Sequence, residues 1–254
     1  MDPKAPYSDI AAGASSKLSL TFDGKSHSVD LYSQEGVQLV AALWVKLAAE
    51  YRLMYEPTWL GIPIIQFPSD IVMMQELIWK IRPDCIVECG VAHGGAAILY
   101  ASMLELLGKG TVIGVDVEIR EHNRAAVQKH PLSKRIELIE GSSVDSEVIR
   151  GIKKRVSGLK SVMVILDSNH SRDHVIKELE IYSGLVTPES YLVVMDGAQA
   201  HVSDIPRGKQ EWKTDNPLEA IREFLKNHPD FESDPHYTRM HVTSNPEGFL
   251  RRKL

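Results

Sequence analysis

Cys85-Ile86-Val87-Glu88-Cys89-Gly90-Val91-Ala92-His93-Gly94-Gly95 is the stretch on which the fold turns. It opens as a short apolar, β-rich run, passes through a glycine loop, and gives way to helical spacing near 95–107. Glycines at such a junction let a ligand approach the backbone closely, and the following helix start offers free N–H groups. The same alternation then repeats. Apolar runs at Thr111–Val115, Ile136–Ile139, Val162–Leu166 and Tyr191–Met195 are separated by helical patterns near 120–129, 145–156 and 171–184. Strands alternating with helices predict an α/β fold with a parallel sheet covered on both faces. Val162–Leu166 is apolar throughout, as a doubly covered strand should be.

Upstream of this stretch, apolar residues from Val37 to Ala48 recur at helical spacing within a segment of about 33–54. A proline- and glycine-marked loop spans Tyr55–Pro63. Pro68-Ser69-Asp70 reads as the capped start of a second helix, which Pro83 ends. The first 30 residues are polar and turn-rich, with a small hairpin expected at Thr21–Lys25. Downstream, Asn216-Pro217 opens a helix to about 227, and His236–Arg252 suggests a terminal antiparallel hairpin. The expected division is 1–60 as an arm and helix for oligomerisation or acceptor cover, and 61–254 as the main domain.

Composition narrows the function classes. A chain of 254 residues with 43% hydrophobic and 25% charged residues can bury a sizeable core. A net charge of −5 argues against a polyanion-binding face, so no nucleic-acid partner is expected. No run approaches the roughly 18 apolar residues of a membrane span. No secretory signal is read at Met1–Lys4, so a cytoplasmic protein is expected. Cys85 and Cys89 fall in one apolar run and read as small buried residues, not as a disulfide or a zinc site.

The glycine loop lacks G-x-G-x-x-G, and an acid, Glu88, precedes its first glycine. That acid would repel a pyrophosphate and attract a cationic amino-acid portion bearing a sulfonium, which favours S-adenosylmethionine over NAD. Asp116, ending the second strand, is placed to accept both ribose hydroxyls. Gly90, Ala92, His93 and Gly94 shape the loop, and Ser142 and Ser143 border the adenine position. Asp167 and Asp196 each end a later strand, at the edge where open α/β sheets bind ligands. Two hard carboxylates there suit Mg²⁺, which would orient and acidify a substrate hydroxyl. Asp167 and His170 are both candidates to take the proton. His174 and Glu178, at helical spacing from His170, read as a solvated helix face. Trp59 and Trp212 are candidates to stack on an acceptor ring, and Ala198–Asn216 to cover it.

The chain resembles the cephalosporin hydroxylase / rhamnosyl O-methyltransferase family from about Gly61 onward. Pro63–Gln66, Val87–Gly95, Gly114–Arg120, Ile139–Ser143, Leu166–His170 and Asn245–Arg252 carry the likeness. The resemblance implies a Rossmann-like class I methyltransferase fold, a mostly parallel seven-stranded sheet with an N-terminal helical extension. It also implies Mg²⁺-assisted O-methylation of a sugar or secondary metabolite, and a homo-oligomer. By position, Glu88, Gly90, Asp116 and Asp167 fall in the cofactor site, and Asp167 and Asp196 in the metal site. Some relatives carry an acidic pair on the fifth strand where this chain has Met195-Asp196, which leaves the third metal ligand open. The competing readings are an NAD(P)-binding oxidoreductase and a non-catalytic oligomeric scaffold with the same fold.

Overall fold

The computed structural model describes residues 16–22 and 24–254. Residues divide into two compact units, 1–44 and 45–254. In the first, β1 (Lys17–Phe22) pairs antiparallel with β2 (Lys25–Asp30), from Lys17↔Asp30 to Phe22↔Lys25. This is the hairpin expected at Thr21–Lys25, although Asp23 lies outside the described residues. The helix α1 (Gln34–Tyr51) starts where the Ser33 hydroxyl accepts the Gly36 N–H, and it runs on into the second unit.

The second unit continues through a two-residue ladder, β3 (Thr58–Trp59) and β4 (Ile62–Pro63), into α2 (Pro68–Ile81). The sheet follows as β5 (Cys85–Cys89), α3 (Gly95–Leu106), β6 (Thr111–Asp116), α4 (Glu121–Lys129), β7 (Ile136–Glu140) and α5 (Ser146–Val156). It ends with β8 (Val162–Leu166), α6 (Arg172–Tyr182), β9 (Tyr191–Val194), α7 (Pro217–Asn227), β10 (Phe231–Ser233) and β11 (Phe249–Arg252). Strand order across the seven strands is β10-β11-β9-β8-β5-β6-β7. β7, β6, β5, β8 and β9 are parallel, and β11 runs antiparallel to β9 and to β10. This is the Rossmann-like methyltransferase arrangement.

Strand alternation explains both core layers. Ile86, Val112, Met163, Ile165 and Val193 pack beneath α2 and α3 on one face. Cys85, Val87, Cys89, Val115, Val164, Leu166 and Val194 pack beneath α5, α6 and α7 on the other. Both cysteines are free and buried, as expected. The order in which strands are added reverses at β5: β6 and β7 build outward on one side, β8 and β9 on the other. The crevice at the carboxyl ends of β5 and β8 is therefore the ligand-binding position. Among the described residues no helix is long and apolar enough to cross a membrane.

Two local expectations are corrected. No residue of Pro68-Ser69-Asp70 caps α2 through its side chain. Phe67 precedes the helix without a side-chain cap, Pro68 needs none of its own, and Asp70 turns inward to Thr243 and Ser244. The terminal hairpin is real, but its first strand is Phe231–Ser233; Pro235–Thr238 is a 3-10 turn, and Asn245–Gly248 is a loop leading into β11.

Candidate active site

A cavity of about 670 Å³ opens at this crevice, within the size range of small-molecule sites. Its wall on one side is the loop between β5 and α3. Gly90 has φ +97°, and a Cβ there would stand 2.0 Å from the Asp167 carbonyl oxygen. Only glycine lets the ends of β5 and β8 come this close. Ala92, an ordinary L-residue, is held at φ +46°. Asp116 at the end of β6 pins this loop: Oδ2 accepts the N–H of Val91 at 2.8 Å and of Ala92 at 3.1 Å, and Oδ1 accepts that of Glu118 at 3.2 Å. A carboxylate has about four acceptor sites, so one remains for a ligand hydroxyl. Asp116 thus shapes the loop as well as lining the cavity.

Gly90, Ala92, His93, Asp116, Ser142, Ser143 and Asp167 all line the cavity. Two residues expected at the cofactor do not. Gly94 faces Val127, whose Cγ2 would lie 2.3 Å from an added Cβ. Glu88 lies inside the sheet on the same face as Ile86, fully buried, and neither carboxylate oxygen has a hydrogen-bond partner. Burial, with Asp116 adding repulsion, holds its carboxyl well above the usual range. Gly114 pairs with it on β6, where a Cβ would crowd Val91 Cγ2 at 2.9 Å and only touch Glu88 Oε2 at 3.8 Å. Glu88 is thus an orphaned buried acid two residues before Gly90, where a core pattern calls for an apolar side chain.

The opposite wall carries the reactive groups. Asp167, His170 and Asp196 offer donor atoms that all lie within 4.8 Å of one another. His170 Nε2 stands 3.3 Å from Asp196 Oδ2. Asp196 is held in the left-handed region at φ +58°, and its N–H donates to Asn245 Oδ1 at 3.0 Å. A non-glycine residue held there is the kind of local strain that collects at functional sites. Burial and the nearby carboxylates of Asp196, Glu88, Glu178 and Asp116 push the Asp167 carboxyl well above its ordinary range. Three aspartates line the cavity, and no lysine or arginine does among the described residues. Such a cavity suits cationic ligands and repels a pyrophosphate, which disfavours the NAD(P) reading.

Several site residues escaped the sequence. His174 and Glu178 are not a solvated face. Glu178 is fully buried, its Oε1 accepts from Ser168 Oγ at 2.7 Å, and His174 Nε2 meets the hydroxyls of Ser143 (3.3 Å) and Ser168 (3.2 Å). The i, i+4 spacing of His170, His174 and Glu178 was the available signal. Gln66, Tyr55, Ser168 and Asn169 also line the cavity. Trp59 and Trp212 do not: Trp59 donates to Ser102 Oγ and packs on the core, while Trp212 packs beside Phe67 and Ala198. The stretch 198–216 lines none of the cavity either. Met195 is buried in the core layer under α2 and α3 and takes no part in the site.

The model for the family "Rhamnosyl O-methyltransferase/CmcI" matches residues 51–253. The chain belongs to this family. It is an S-adenosylmethionine-dependent O-methyltransferase, and the scaffold reading falls away. A rhamnosyl O-methyltransferase of Mycobacterium leprae is 30% identical over 217 residues, covering 82% of this chain and 91% of that protein. One of Mycobacterium bovis is 28% identical over 237 residues, covering 85% and 92%. Among solved structures, ligand-free CmcI superposes with a TM-score of 0.55 at 19% identity, over 79% of this chain and 77% of that one. A magnesium- and S-adenosylmethionine-bound form of CmcI gives 0.53 at 19% identity, over 79% and 78%. At that identity the superpositions bear on the fold, which they match.

Proposed function

We propose that this family member methylates a hydroxyl of a sugar, a rhamnosyl unit first among candidates, with a divalent cation held between Asp167 and Asp196. The observation that carries the reading is the cavity lining: three aspartates and no basic residue, opposite a glycine loop that only close backbone approach explains. The spare acceptor capacity of Asp116 fits a ligand that carries ribose hydroxyls at one end, and the unneutralised aspartates of the lining fit one that is cationic at the other. The sugar class is supported by the activity for which the mycobacterial relatives are named, and the cation by the magnesium-bound CmcI structure together with the two carboxylates.

Mg²⁺ matches two hard oxygen ligands, and when bound it would lower the pKa of an acceptor hydroxyl and fix its direction. S-adenosylmethionine brings a methyl group already activated by its sulfonium, so the protein's contribution is chiefly positioning. The chain's residues divide that work. Asp116 and the loop from Gly90 to Ala92 hold the ribose end. Asp167 takes the hydroxyl proton: its carboxylate accepts no hydrogen bond from any described residue, whereas the His170 ring nitrogen is turned to Asp196. Asp196 is kept in place through its N–H by Asn245.

The test is transfer of labelled methyl groups to a panel of rhamnosyl and other glycoside acceptors, in wild type and Asp167→Asn. Wild type should label a sugar hydroxyl, and the variant should bind S-adenosylhomocysteine normally while losing roughly 10²–10⁴ in turnover. Labelling confined to non-sugar acceptors would overturn the acceptor class, and undiminished turnover in Asp167→Asn would remove its role.

A further inference from the structure

The proposed cation site has two acids, Asp167 and Asp196. Met195, next to the second of them, is buried in the apolar core and supplies no donor. A different group stands beside the two carboxylates. His170 Nε2 is 3.3 Å from Asp196 Oδ2, and donor atoms of Asp167, His170 and Asp196 lie mutually within 4.8 Å. Around an octahedral ion with ligands at about 2.1 Å, adjacent donors stand about 3 Å apart and opposite donors about 4.2 Å apart. The His170–Asp196 spacing is already close to the first of these.

Three further observations point to a cation rather than to a simple His–Asp contact. The Asp167 carboxylate has no hydrogen-bond partner among the described residues although it faces other carboxylates. Asp196, held at φ +58°, brings its Oδ2 to within 3.3 Å of the imidazole rather than turning it out to solvent. No lysine or arginine lines the cavity to neutralise the cluster.

We propose that His170 is the third protein ligand of the divalent cation, and that the resulting set of two carboxylates and one imidazole prefers Mn²⁺ to Mg²⁺. The inference rests on the cation reading given under the proposed function, and it names the ligand and the metal class within that site. Magnesium is a hard ion that takes oxygen donors, while imidazole favours first-row transition ions, of which Mn²⁺ also accepts carboxylates. A nitrogen in the shell therefore raises Mn²⁺ affinity more than Mg²⁺ affinity. It also occupies the ring nitrogen that would otherwise act as a base, which agrees with giving the proton to Asp167.

The experiment is Mn²⁺ titration of the full-length protein with S-adenosylhomocysteine present, followed by electron paramagnetic resonance, with Mg²⁺ as competitor. Pulsed measurements on the bound Mn²⁺ report coupling to a ligand nitrogen. Wild type should bind Mn²⁺ at least tenfold more tightly than Mg²⁺ and show that coupling. His170→Ala should lose the coupling and about tenfold or more of the Mn²⁺ affinity. His170→Asp should restore binding without nitrogen coupling and shift the preference toward Mg²⁺. Calorimetric binding of S-adenosylhomocysteine checks that both variants are folded. Wild-type Mn²⁺ bound without nitrogen coupling, or a Mn²⁺:Mg²⁺ ratio equal in all three proteins, overturns the assignment of His170 and leaves the two-aspartate cation site standing. Failure of wild type to bind either ion overturns the cation site itself.

Discussion

Replacing Asp70 by asparagine should remove a pH dependence of stability whose size follows from the structure. Asp70 is buried in the first turn of α2, where Thr243 Oγ1 donates to Oδ1, and Oδ2 accepts the Ser244 N–H at 2.8 Å and its hydroxyl at 2.9 Å. Burial outweighs these three bonds, and Asp196 adds repulsion, so the carboxyl is pushed up to about 6 from an ordinary 3.8. A gap of roughly 2 pH units is worth about 3 kcal/mol. The sign follows from proton linkage. Below 3.8 the group is protonated in both folded and unfolded chains and its full contribution is present. Between 3.8 and about 6 the unfolded chain releases the proton while the folded chain keeps it, so stability falls as pH rises. Above about 6 the loss is complete. Asparagine cannot titrate, yet it keeps an oxygen for Ser244 and offers an N–H to the Thr243 hydroxyl. Urea unfolding of both proteins at pH 4 and pH 7 measures the effect. The variant's advantage over wild type should grow by about 2 kcal/mol across that interval, less than the full gap because the unfolded carboxyl is already partly ionised at pH 4. An advantage that stays constant with pH would refute the reasoning.

Two more outcomes are expected. Gly90→Ala puts a Cβ 2.0 Å from the Asp167 carbonyl, so the ends of β5 and β8 must part; S-adenosylhomocysteine affinity should fall at least tenfold, and unchanged calorimetry would show that the loop yields freely. Along α1, Val37, Val40, Trp44, Leu47 and Tyr51 are exposed and spaced alternately three and four apart, the repeat that lets one helix seat against a second copy of itself. We propose that the chain self-associates through this stripe; sedimentation should show an oligomer that Trp44→Glu with Leu47→Glu dissociates, and a monomeric wild type at micromolar concentration would end the idea.

The parts legible in the sequence are those whose signal is local. Val162–Leu166 is apolar at every position because both faces of β8 are covered, and that run was readable as a doubly covered strand. Gly90, Asp116, Asp167 and Asp196 were found because strand ends and glycine turns mark themselves along the chain. What escaped depends on partners far away in sequence. The inward turn of Asp70 is not legible because the groups that donate to its carboxylate, on Thr243 and Ser244, lie about 170 residues on. His174 and Glu178 looked solvated because their partners, Ser143 and Ser168, come from other loops of the same sheet edge. The hairpin strand was misplaced because Asn245–Gly248 carries strong turn residues, which here serve to hold Asp196 rather than to join two strands.

The position of Met195 connects the buried acid to the fold. Alternation along β9 turns Tyr191, Val193 and Met195 to the core layer that also holds Ile86, the layer into which β5 directs Glu88. That layer already contains one carboxyl with no partner. A second acid at position 195 would add charge on the same side of the sheet, where burial makes repulsion expensive. Methionine removes that cost and fills the space. His170 lies outside the layer, on the loop after β8, half-buried among the cavity-lining residues, and is free of the constraint. A neutral imidazole there would give the proposed cation a third ligand without adding to the negative charge of Asp167 and Asp196. The double variant Met195→Glu with His170→Ala tests the buried-charge argument directly. Because position 195 faces the core layer, the added acid should not regain cation affinity lost with His170, and it should lower the folded protein's stability at pH 7 below that of His170→Ala alone. A double variant as stable as the single one would show that the buried charge on this layer is not what excludes an acid from position 195.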